Sequence, residues 1–141
     1  MTSEQVVEIN NNLINDKISI IDYNGFFKDT NCRFSLDEVN ELQELKSILS
    51  RILIDDRLAN VYVSMYYDKL EDIYKNMFWY SDTIILDTNM TIDEIENYFV
   101  DSDFKPSEII EQEEQLQLVS IDGKNSVYKN KCKNLISIYW D

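Results

Sequence analysis

Carboxylates are the one abundant kind of chemically capable side chain in this sequence: 27 Asp and Glu stand against 13 Lys and Arg, and there is no histidine. Acids close together at Asp93-Glu94, Asp101/Asp103 and Glu113-Glu114 are the pairings that could hold a hard metal ion or divide acid and base roles in glycoside hydrolysis. A chain this acidic produces such pairs by chance. Asp101-Ser102-Asp103 opens like a calcium loop but continues as Phe104-Lys105, without the glycine that the bend needs. The absence of histidine removes Ser–His–Asp, Cys–His and HExxH arrangements, and with them the side chain best suited to proton transfer near neutral pH. Two glycines, Gly25 and Gly123, cannot build a phosphate-binding loop. Cys32 and Cys132 lie a hundred positions apart, which is neither a redox CxxC nor a zinc cluster, and they read as reduced thiols. These residue types favour binding over catalysis and call for no cofactor or metal. A small enzyme using carboxylates alone is the second alternative.

The acids are unevenly placed. Between Asp82 and Asp122, twelve carboxylates face one cation, Lys105, so this segment carries −11 of the chain's net −14. That field repels a nucleic-acid backbone or an anionic membrane surface and attracts a basic protein. Plain solvation of a polar face is the competing reading. If the segment is an interaction face, its contacts are expected at Asp87, Asp93, Glu94, Glu96, Asp101, Asp103, Glu111, Glu113 and Glu114. Trp79 and Tyr80 would be aromatic anchors beside those acids, with core packing as the alternative for each. Lys124, Lys129, Lys131 and Lys133 form a separate basic run, read as lysines that discourage unwanted strand pairing.

The elements that must position these groups are legible from spacing. Val6, Val7, Ile9, Leu13 and Ile14 predict a short opening helix, and the β-branched run Lys17–Tyr23 a strand, followed by a turn at Asn24-Gly25. Ser35 and Glu38 have capping-box spacing ahead of Leu36, Val39, Leu42, Leu45, Leu49 and Ile52, which predicts a helix from Ser35 to about Leu53. Alternation over Asn60–Tyr66 predicts a half-buried strand. A helical stripe from Tyr66 to Phe78 follows, with Asp68 as N-cap. Thr83–Leu86 is a strand, and Thr91 and Glu94 cap a second acidic helix. Pro106-Ser107-Glu108 reads as a short turn of helix. Gln115–Ile121 and Ser126–Tyr128 form a hairpin about Asp122-Gly123, and Leu135–Trp140 is a closing strand. The hairpin and closing strand are expected to make one antiparallel end of the sheet. An exposed edge on the closing strand would support a homodimer or strand addition to a partner.

A length of 141 residues with 44% hydrophobic side chains fits a single globular α+β domain: a mixed, mostly antiparallel sheet of about five or six strands with three or four helices packed on it. No leader or membrane-spanning run is visible, so a cytoplasmic location is the expectation.

The segment Trp79-Tyr80-Ser81-Asp82-Thr83-Ile84-Ile85-Leu86-Asp87-Thr88, followed by Thr91-Ile92-Asp93-Glu94-Ile95 and Pro106-Ser107-Glu108-Ile109, resembles immunity proteins of bacterial polymorphic-toxin and contact-dependent growth inhibition systems. The resemblance covers residues 79–110. It implies a small cytosolic protein that binds one cognate toxin domain and blocks its active site or its access to substrate. It assigns no residue a role. The charge agrees with that implication: nuclease toxins are basic because their substrate is a polyanion, and an acidic inhibitor can cover such a surface. A nucleic-acid mimic directed at a host defence nuclease is the alternative drawn from the same charge.

Overall fold

Local chain chemistry sets the first turns of the structure, a computed structural model that describes residues 1–35, 39–67 and 79–140. Thr2 caps helix α1 (Ser3–Ile14) in a full capping box, its hydroxyl accepting the Gln5 amide while Gln5 returns a bond to the Thr2 amide. The helix ends with Asp16 in the left-handed region, φ 56°. The Lys17 amide reaches back to the Asn12 carbonyl at 2.8 Å and the Asp16 amide to Leu13 at 3.2 Å, the paired bonds of a Schellman stop. The face that α1 buries matches the expected apolar one only in part. Gln5, Ile9 and Asn12 are buried, whereas Val7 and Ile14 are exposed.

The chain divides into two compact units: residues 1–33, 62–81 and 113–129, and residues 34–61, 82–112 and 130–141. In the first unit, β1 (Ile18–Asp22) leads directly into helix α2 (Tyr23–Lys28). The expected turn at Asn24-Gly25 is therefore helical. Asp22 accepts the Asn24 and Gly25 amides, and Tyr23 and Phe26 are buried, so a cap and an apolar face override the local turn signal. β1 pairs antiparallel with β3 (Leu58–Tyr67) at Ser19↔Met65 and parallel with β7 (Leu116–Val119) at Ile18↔Leu116. β7 returns as the antiparallel hairpin strand β8 (Asn125–Val127) through the Asp122-Gly123 turn. β4 (Trp79–Ser81) pairs with the end of β3 and with the short β2 (Cys32–Phe34). Asn12 knits this unit together from beneath. Its amide donates to Ser19 on β1, and it exchanges hydrogen bonds with Asn125 on β8.

The second unit holds α3 (Val39–Leu53), whose Leu45, Leu49 and Ile52 are buried as the helical spacing predicts, with Ile48 buried beside them. Its strands run in the order β6 (Glu108–Glu111), β9 (Asn134–Tyr139), β5 (Thr83–Thr88), with both pairings antiparallel. Helix α4 (Ile92–Asn97) carries the expected Thr91–Glu94 capping box and buries Ile95. Trp140 sits at the centre of an aromatic group. Its ring lies 5.6 Å from Phe34 and 5.7 Å from Phe99, and its indole N–H donates to the Phe104 carbonyl at 3.1 Å.

The class is α+β, with four helices and mostly antiparallel strands among the described residues. Nine strands replace the expected five or six, because short strands such as β2, β4 and β8 leave little periodic signal. Two further expectations are corrected. Pro106-Ser107-Glu108 opens strand β6 rather than a helix, held by the Ser107 amide on the Tyr139 carbonyl at 2.7 Å. The closing strand β9 pairs with β5 and β6, not with the hairpin, so it offers no free edge. Tyr66 and Tyr67, expected to open a helical stripe, instead end strand β3; the rest of that stripe, from Asp68 to Phe78, and Glu38 of the Ser35–Glu38 capping box fall outside the described residues.

Candidate functional site

The acids of the second unit divide into those the fold consumes and those it leaves over. Asp87 belongs to the first group. It is fully buried on β5, and its carboxylate accepts the Lys131 amide at 2.7 Å and the Cys132 amide at 2.9 Å. Its role is to fasten the approach to β9, and the expectation that it contacts a partner is withdrawn. The cause is alternation: in TIILDT the strand is covered on both faces, and a carboxylate placed there must be met by donors.

Glu94 is half committed. It closes the α4 capping box through the Thr91 amide and forms an ion pair with Arg57. Arg57 in turn grips Asp55, with Nε to Oδ1 at 3.0 Å and a second guanidinium nitrogen to Oδ2 at 2.8 Å. The Tyr98 hydroxyl donates to the same Asp55 carboxylate at 2.6 Å. Bonds from Arg57 and then Tyr98 hold the Asp55 carboxyl well below the usual carboxylate range, and the Asp55 carboxylate in return raises the Tyr98 phenol. Arg51 lies against the Tyr98 ring, 5.7 Å from its centroid, and donates to the Tyr98 carbonyl at 3.2 Å. Both arginines beside α4 are thus occupied internally. Sequence reading missed this network because its members come from two segments, 51–57 and 94–98, about forty positions apart.

The acids left over are Asp93 and Glu96 on α4, Asp101 and Asp103 after it, and Glu108 and Glu111 on β6. All six are exposed, and among the described residues none of their carboxylates makes a hydrogen bond or ion pair. Glu108 was not among the expected contacts. A cleft of about 350 Å³ opens beside them, lined by Phe99, Val100, Pro106 and Ile109 together with Glu96, Lys105 and Glu108. Glu113 and Glu114 are exposed in the first unit, so they belong to a different body from the other acids. Trp79 and Tyr80 also lie there. Trp79 is only 4% exposed on β4, with its amide on the Asn31 carbonyl at 2.9 Å, and it is a core residue rather than a surface anchor. Tyr80 is half-buried.

The first unit contains one further concavity, a cleft of about 660 Å³ where β1 and β7 end, floored by Ile21, Tyr62 and Val119 and rimmed by Gly25, Lys28 and Ile121. Its walls come from separated segments, so no local motif announces it. Cys32 and Cys132 are free thiols, and burial pushes Cys32 up to about 11. Among the described residues, no three His, Cys, Asp or Glu side chains gather as a metal site would, and no helix is long and apolar enough to cross a membrane. No family model, curated protein or solved structure matches the chain.

Proposed function

We propose that this chain is a non-catalytic acidic binding protein that neutralises a cationic toxin domain, a nuclease best fitting the charge, by covering its active site or substrate-binding surface. The observation that carries the reading is the division of the acids. Asp55, Asp87 and Glu94 are satisfied by the fold, whereas Asp93, Glu96, Asp101, Asp103, Glu108 and Glu111 stand exposed and without partners among the described residues along one stretch of the second unit. Carboxylates gathered in this way raise the local energy through mutual repulsion, and a basic partner relieves it. The same field steers that partner into encounter and makes the association salt-sensitive.

The test is co-purification with the products of neighbouring reading frames, followed by stopped-flow association with any basic domain recovered. Reversing Asp93, Glu96, Asp101 and Asp103 to Lys should slow association by roughly ten- to a hundredfold and flatten its salt dependence. An unchanged on-rate would remove the acidic stretch from the interface. Capture of a host nuclease in place of a toxin would transfer the same surface to the nucleic-acid-mimic reading.

A further inference from the structure

Strand β6 ends the strand order of its unit. Its inner edge pairs with β9 at Glu108↔Tyr139, Ile109↔Ile138, Ile110↔Ser137 and Glu111↔Ile136. The Gln112 amide donates to the Leu135 carbonyl at 2.8 Å, continuing that register by one residue. In an antiparallel ladder the residues that exchange backbone bonds alternate. Glu108 and Ile110 therefore turn their backbone groups to β9, and Ile109 and Glu111 turn theirs outward, where no strand among the described residues meets them. This is an open template for one more strand.

The side chains specify what that strand must be. Successive residues alternate between faces, so Glu108 and Ile110 share one face and Ile109 and Glu111 the other. Each face therefore shows an incoming strand one carboxylate and one isoleucine. Ile110 is 49% exposed, so an apolar neighbour would cover it. The matching four residues are basic, apolar, apolar, basic. The cleft beside the strand is lined by the apolar Val100 and Pro106, by two carboxylates, Glu96 and Glu108, and by one cation, Lys105. A second copy of this chain supplies no cation there: in the antiparallel registers centred on Ile109 or Ile110, Glu111 faces Ser107 or Ile109 and Glu108 faces Ile110 or Gln112.

We infer that the outer edge of β6 is the docking line for an extended basic segment of a protein partner, added as a strand with cations opposite Glu108 and Glu111. This rests on the acidic-face reading and deepens it.

The test uses the intact chain and two capped octapeptides of identical composition: Thr-Thr-Lys-Val-Val-Lys-Thr-Thr and Thr-Thr-Val-Lys-Lys-Val-Thr-Thr. Amide hydrogen exchange is followed by NMR at low salt. The first peptide should slow exchange at Ile109 and Glu111 by roughly tenfold or more, with little change at Ile110, whose amide already bonds β9. Glu111→Pro, which removes an outward N–H together with the carboxylate, should abolish the protection at Ile109, and Glu111→Gln, which removes the charge alone, should merely weaken it. Salt-sensitive binding without protection at Ile109 and Glu111, or equal protection by both peptides, would overturn strand addition while leaving the acidic face in place. Binding of neither peptide would overturn both.

Discussion

Asp87 and Asp93 carry the same side chain to opposite ends. Asp87 lies on a strand covered on both faces, where two backbone amides claim its oxygens; Asp93 lies on the outer side of a short helix, where water does. Residue type alone does not separate them, and burial does. Asp55 is the other consumed acid, and its lowered carboxyl makes a prediction about pH. An unfolded Asp titrates near 3.9. Because the folded value lies lower, the Arg57 and Tyr98 bonds contribute stability that is complete above about pH 4 and is lost as pH falls from there through the folded-state value. Asp55→Asn should therefore lower the thermal midpoint by a few degrees near neutral pH. The gap from wild type should hold steady down to about pH 5 and close below about pH 4. Melting curves by circular dichroism across that range check it, and a gap that widens in acid would contradict the assignment.

At the scale of elements, the capped helices and the hairpin were readable because their signals are local. Thr91 and Glu94 are three residues apart wherever the helix packs, and Asp122-Gly123 turns the chain with Gly123 at φ 83°. A Cβ on Gly123 would also come within 2.7 Å of the Glu4 Cβ on α1. Gly123→Ala should therefore cost about 1–3 kcal/mol in urea denaturation, from the left-handed backbone and the forced shift of α1 together. A loss under half a kcal/mol would mean that the turn relaxes freely. Helix α1 shows where local signals stop. Gln5, Ile9 and Asn12 have helical spacing, but two of the three are polar, so hydropathy found Ile9, missed Gln5 and Asn12, and added the exposed Val7 and Ile14. The amide pair between Asn12 and Asn125 joins residues far apart in the chain, and no window along the sequence contains both.

For the whole molecule, a net charge of −14 on 141 residues is a standing self-repulsion. Raising salt from about 10 mM to about 150 mM shortens the Debye length from about 30 Å to about 8 Å, and should raise the thermal midpoint by a few degrees. A midpoint that falls with salt would mean that ion pairs such as Arg57–Glu94 outweigh the repulsion. The acidity, the α+β class, the helix caps and the hairpin were set by the sequence itself, because each depends on composition or on residues a few positions apart. Tertiary structure decided the rest. It set β7 parallel to β1, placed β9 between β5 and β6, buried Trp79 and Asp87, and left β6 with an open outer edge. The physical reason is that alternation tells a strand which face to bury but not which strand lies beside it. Whether a carboxylate serves the fold or remains for a partner depends on that neighbour.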